Sequence, residues 1–116
     1  MQIVRIYADE SGESHFEELA FPLHDHGEIG RLSELIPASG VIIRETPPTY
    51  DFDWHNAPRR QIVVLLTGSV EIEASDGSKR RLDAGDLLFA EDTTGRGHRT
   101  RTLGNVTRTS LFVTLD

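Results

Sequence analysis

The sequence predicts an all-β fold, and three observations predict it. Short runs rich in β-branched and apolar residues recur at close spacing, with turn signals between them. Val70-Glu71-Ile72-Glu73-Ala74 alternates apolar with acidic residues, the pattern of a half-buried strand. No long segment carries a helical period. Short strands punctuated in this way build a sandwich or a barrel.

The elements follow in order. In the first half, residues 2–7, 15–20 and 41–45 read as strands. Residues 28–35 fit either a short helical turn or a strand ending at Pro37. Gln61 opens a central strand through Ile62-Val63-Val64-Leu65-Leu66 to Gly68. On it Gln61, Val63, Leu65 and Thr67 share one face, and Ile62, Val64 and Leu66 share the other. Both faces are largely apolar, so both need cover. After residues 70–74, Asp76-Gly77 supplies a hairpin turn. Residues 79–82 return, Gly85-Asp86 turns again, and residues 87–90 read as a buried strand. Residues 99–103 alternate, Gly104-Asn105 turns, and residues 106–115 close the fold.

The chain of 116 residues fits one domain with one core, residues 1–39 forming N-terminal strands and loops and 40–115 the motif-bearing part. It contains no cysteine, which excludes disulfides, thiolate metal ligands and thiol catalysis. The first residues lack the basic and apolar regions of a secretory signal, and no apolar run is long enough for a membrane span. The expectation is a cytoplasmic protein that does not use membranes. The net charge of -7 excludes a nucleic-acid backbone as partner. The charge is unevenly spread: residues 1–53 hold 11 acids and 3 bases, residues 54–116 hold 8 acids and 9 bases. Arg80, Arg81, Arg96, Arg99 and Arg101 therefore form either a solvated strand face or a cationic rim that steers an anionic small molecule.

Two histidines sit in matching contexts. His55 precedes the central strand. His98 follows the Gly95-Arg96-Gly97 turn after the strand at 87–90. Two strand-turn units, each delivering one imidazole, are expected to bring both rings into one cavity. Glu91 and Asp92 lie at the end of that strand, and neighbours on a strand point to opposite faces, so at most one faces the cavity. That one serves as a general base or further ligand; otherwise the segment is a turn held by side-chain to backbone hydrogen bonds. Arg59 and Arg60 flank the His55 turn, where an arginine holds a carboxylate or phosphate, or else forms a surface ion pair. Tyr50 and Trp54 are candidates for the cavity mouth. His24-Asp25-His26 reads as a surface loop.

These residues resemble the cupin superfamily, a double-stranded β-helix or jelly-roll barrel. In the first motif His55 takes the first His position, Ala57 stands for the second His, Gln61 for the Glu, and Gly68 matches the Gly. In the second, Gly85-Asp86 opens, Thr93 replaces the Pro, and Gly95 and His98 match. The stretch from Asp86 to Thr93 is two residues longer than usual. The resemblance covers about residues 40 to 115, and the segments 54–61 and 91–98 are similar to those of small bacterial single-domain cupins.

The resemblance implies a small-molecule site inside the barrel and three readings of it. In the first, a divalent metal (Fe, Mn, Zn or Ni) is weakly held by His55, His98 and Gln61 in an enzyme acting on a small polar or anionic substrate. In the second, a metal-free isomerase, epimerase or lyase uses a histidine base, with His55, His98 and Glu91 as catalytic candidates. In the third, the domain binds or senses a ligand without turnover. Arg59, Gln61, Asp92, Trp54 and Tyr50 are the candidate ligand contacts. The apolar face of Ile62, Val64 and Leu66, with Leu111, Phe112 and Val113, predicts a homodimer.

Overall fold

Twelve strands, ten of them in two facing sheets, carry the fold, which the computed structural model describes for all of residues 1–116. They are β1 (Ile3–Ala8), β2 (Ser14–Glu18), β3 (His24–Asp25), β4 (Arg31–Leu32), β5 (Gly40–Thr46) and β6 (Asp51–His55). They continue as β7 (Gln61–Leu65), β8 (Ser69–Ala74), β9 (Lys79–Asp83), β10 (Leu87–Ala90), β11 (His98–Leu103) and β12 (Arg108–Thr114). One sheet has six strands in the order β2-β1-β10-β7-β12-β5, the other four in the order β6-β11-β8-β9. β3 and β4 form a small separate hairpin around a single 3-10 turn at Gly27–Ile29, which settles the ambiguous segment. The architecture is an all-β sandwich of two open sheets and not a closed barrel. No helix is long and apolar enough to cross a membrane.

Strand parity builds the interior. On β8, Val70, Ile72 and Ala74 are buried while Glu71 and Glu73 face out, as the alternation predicts. They meet Leu65 of β7, Leu88 and Ala90 of β10, and Val4 and Ile6 of β1 in one apolar cluster. At about 25 cal/mol per Å² this burial is the main stabilising term. Asp86 fastens the chain start to the β9–β10 turn: its carboxylate accepts from the backbone N–H of Gln2 at 2.7 Å and of Asp83 at 2.8 Å.

The second face of the large sheet is also apolar. Ile43, Leu111, Val64, Leu87 and Ile3 run across it in register, as do Val41, Val113, Ile62 and Phe89. Phe21 covers part of this face, stacking on Phe89 at 5.4 Å between centroids. The cover ends before β5, where Val41 is 62% and Ile43 79% exposed. The exposed apolar area is thus centred on the β5 edge. Ile62 is buried, and Phe112 turns to the interior.

Candidate functional site

The space between the sheets holds a cavity of about 360 Å³ that opens to solvent. His55 at the end of β6 and His98 at the start of β11 pair directly across the two strands. Their ring centroids lie 4.4 Å apart with planes inclined at 61°, and both line the cavity. The close approach depends on Gly97. Its φ is +75°, and a Cβ there would stand 2.2 Å from the His55 carbonyl oxygen. The Gly97 carbonyl accepts a 2.6 Å hydrogen bond from the Ser14 hydroxyl, which holds the turn against β2.

Each ring is fixed through Nδ1. His55 Nδ1–H donates to the Asp53 carbonyl at 2.7 Å. A carbonyl only accepts, so the neutral ring carries its proton on Nδ1 and leaves Nε2 as a lone pair. His98 Nδ1 lies 2.5 Å from Asp92 Oδ2 and donates to that carboxylate. Asp92 has no exposed surface, and its Oδ1 has no partner. Its backbone carbonyl accepts from Ala57 N at 3.2 Å, which ties the His55 turn to the residue behind His98. Burial pushes the His55 imidazole below its ordinary value. The backbone acceptor at Asp53 opposes this and neighbouring His98 adds to it. His55 is therefore a neutral base at neutral pH.

Gln61 and Tyr50 line the same cavity as the two histidines, as expected. Four expectations are corrected. Glu91 lies outside, because β10 directs Leu88 and Ala90 inward and so turns Glu91 away. There it binds Arg5 Nε at 2.8 Å and Arg60 Nε at 2.9 Å. Asp92 sits behind His98 and orients that ring without reaching the cavity. Trp54 is 42% exposed and packs under the Arg99 guanidinium at 5.4 Å, away from the cavity. Arg59 is exposed and does not line it. The proposed cationic rim is also neutralised: Arg99 pairs with Glu73, Arg101 with Glu71, Arg81 with Asp83, Arg80 with Glu18 and Arg96 with Glu13. His24 and His26 are exposed in the β3–β4 hairpin.

Three cavity residues escaped the sequence reading. Phe52 lies against His55, with centroids 3.9 Å apart. Arg44 and Arg108 project into the cavity from β5 and β12. Period two gave the signal for Arg108, because it shares the inward face of β12 with Ser110, Phe112 and Thr114.

The donor set does not fit a tightly held divalent metal. Two Nε2 atoms and the neutral Gln61 amide are available, and no cluster of three His, Cys, Asp or Glu exists in the chain. No carboxylate lines the cavity, whereas two guanidiniums do. A cation would enter a site lacking anionic ligands.

No family model and no curated protein matches the chain. Among solved structures it is similar to protein NMB1881 from Neisseria meningitidis, with a TM-score of 0.50 and 13% identity over 86% of each chain. That similarity concerns the arrangement of strands alone.

Proposed function

We propose that the chain is a jelly-roll domain of the cupin type. It binds a small polar or anionic molecule between its sheets, and His55 and His98 transfer a proton on that molecule. The observation that carries this reading is the pair of imidazoles whose Nδ1 atoms are both engaged, at 2.7 Å and 2.5 Å. Both Nε2 atoms are left for the ligand. Burial keeps His55 neutral and able to accept a proton. Asp92 fixes the tautomer of His98 and compensates the charge when that ring takes up a proton. A proton removed from one carbon and returned to its neighbour isomerises the molecule. Return to the opposite face epimerises it, and loss of a leaving group makes the protein a lyase. The apolar walls keep water from competing for the proton.

The test is deuterium uptake from D₂O into a panel of cyclic sugars and small oxo acids, followed by proton NMR. The expected result is loss of one C–H signal with the wild type and none with His55→Ala. Equal exchange by the His55→Ala/His98→Ala double variant would refute the roles assigned. Binding without exchange by the wild type would leave a ligand-binding domain without turnover.

We also propose that a second copy of the chain covers the exposed β5 edge. The apolar rows running from Ile43 and Val41 across the sheet support this reading.

A further inference from the structure

The charge inside the cavity is opposite to that of the molecule. The chain carries a net -7, yet the cavity wall holds Arg44 and Arg108 and not one Asp or Glu. Neither arginine takes part in an ion pair, although most of the arginines on the outer surface do. Arg108 is only 6% exposed, and its Nη1 is buried without a hydrogen-bond partner. Thr46 Oγ1, on the residue paired with Arg108 across β5 and β12, is also buried, unpartnered and on the cavity wall. Buried polar groups are nearly always satisfied in folded proteins, so two orphans facing one cavity mark a missing partner. Both guanidiniums lie over the Tyr50 ring, at 5.0 Å for Arg44 and 5.4 Å for Arg108. The ring face softens the closeness of two like charges, one of them buried, but it takes up none of their N–H donors. Burial and the neighbouring Arg44 together push the Arg108 guanidinium below its ordinary value.

The arginines and the histidines spring from different levels of the strands, although the Arg44 guanidinium comes close enough to His55 to help lower that imidazole. Arg44 stands opposite Ser110, whereas Thr114 of the same strand stands opposite Gln61 at the histidine end. Four residues separate those levels, roughly 13 Å at about 3.3 Å per residue. The wall between is apolar, formed by Val63, Leu65, Ile72, Leu88 and Phe112.

We propose that the ligand of this cavity is a small monocarboxylate with an apolar body, its carboxylate held by Arg108 and Arg44 and its far end presented to His55 and His98. The inference rests on the reading of the cavity as a small-molecule site and supplies the chemical class. A planar carboxylate takes two parallel N–H donors from a guanidinium and satisfies the buried Nη1. Its second oxygen accepts from the Thr46 hydroxyl. A cation would be repelled by the two guanidiniums. Between its polar ends the wall offers apolar surface, which suits an apolar body better than a fully hydroxylated sugar.

The experiment is isothermal titration of the wild type with three pairs of probes: benzoate and benzamide, cinnamate and cinnamamide, hexanoate and hexanamide. Each pair shares shape and differs in charge. In at least one pair the carboxylate is expected to bind ten-fold or more tighter than the amide. That preference is expected to disappear in Arg108→Met and to shrink in Arg44→Met. If Arg108→Met does not fold, Arg44→Met and the wild-type ratio still decide. Equal affinity within every pair overturns the carboxylate inference while leaving a small-molecule cavity. Retention of the preference in both variants overturns the roles of the two arginines. Absence of binding by all six probes at millimolar concentration overturns the inference and the cavity reading together.

Discussion

Replacing Gly97 by alanine tests whether the two histidine-bearing turns meet as described. The backbone there has φ +75°, and an alanine Cβ would meet His55 O at 2.2 Å, His55 C at 2.6 Å and Asn56 N at 3.1 Å. Gly77, in the β8–β9 turn, has φ +90° with nothing within 4 Å of a Cβ. Both substitutions carry the left-handed penalty, about 1–2 kcal/mol. Only Gly97→Ala adds a backbone collision. To restore even 3.0 Å, one turn must retreat by roughly 0.8 Å, the difference between 3.0 and 2.2 Å. That retreat weakens the Ser14 to Gly97 hydrogen bond and the pairing of His98 with His55. Their loss adds about 1–3 kcal/mol. At about 4 °C per kcal/mol for a domain of this size, Gly77→Ala lowers Tm by roughly 4–8 °C and Gly97→Ala by roughly 8–20 °C. Differential scanning calorimetry gives both values. Proton NMR of the imidazole C–H signals adds the local readout, with His55 and His98 shifting in Gly97→Ala and not in Gly77→Ala. Equal melting temperatures for the two variants, with unmoved imidazole signals, would refute the close approach and with it the shared site.

Three further outcomes follow. His15 lies between Asp9 at 2.7 Å and Asp76 at 3.0 Å, and these carboxylates, Asp9 first, hold its imidazole above the ordinary value. A raised histidine stabilises fully below its unfolded pKa of about 6.5, and that contribution is lost as pH rises through the folded value. Asp9, depressed chiefly by His15, contributes above its unfolded value of about 3.9, and that part is lost on acidification. The urea midpoint of the wild type minus that of His15→Gln is therefore expected to be largest between about pH 4.5 and 6.5 and to fall above it; a difference that grows towards pH 8 would reverse the assignment. His55, depressed by burial, acts with the opposite sign in both proteins and cancels in the difference. Sedimentation is expected to give twice the 13.0 kDa chain mass for the wild type and the chain mass itself for Ile43→Lys, whose side chain is 79% exposed; a wild-type monomer at high micromolar concentration would sink the proposed dimer. Protein loaded with zinc or nickel and then dialysed is expected to keep far less than one ion per chain, and Gln61→Glu to keep more, as read by elemental analysis; stoichiometric retention by the wild type would overturn the judgement that the donor set is insufficient.

The sequence made the sandwich legible wherever apolar and polar residues alternate cleanly, as along β8. It made the histidine pair legible through the Gly95-Arg96-Gly97 turn. β6 was missed although Asp51-Phe52-Asp53-Trp54-His55 also alternates, because two prolines precede it and acids fill alternate positions. Those acids lie on the same outer patch as Arg99 and Arg101, so cross-strand charge replaces the polar surface expected of a strand. Glu91 and Asp92 could not be sorted from sequence, since parity says only that they diverge. Which face holds the cavity is decided by the partner strands β1 and β7.

The arginines show the same limit more sharply. Five of the nine bases in residues 54–116 suggested a cationic rim, and all five meet acids on the surface. Arg44 and Arg108, separated by 64 positions (108 minus 44), gave no common signal, yet they face one cavity without an acid. A charge count along the chain cannot separate an arginine that finds its counter-ion in a neighbouring strand from one left without it. Pairing decides: β11 lies beside β8, whose outward residues are glutamates, while β12 lies beside β5 and β7, whose inward residues are apolar, neutral or cationic. The buried charge of Arg108 and the half-buried one of Arg44, neither with a counter-ion, lower the stability of the fold. A carboxylate that enters the cavity supplies the missing partner, so binding and stabilisation are one event, and the ligand class is read from what the fold leaves unsatisfied.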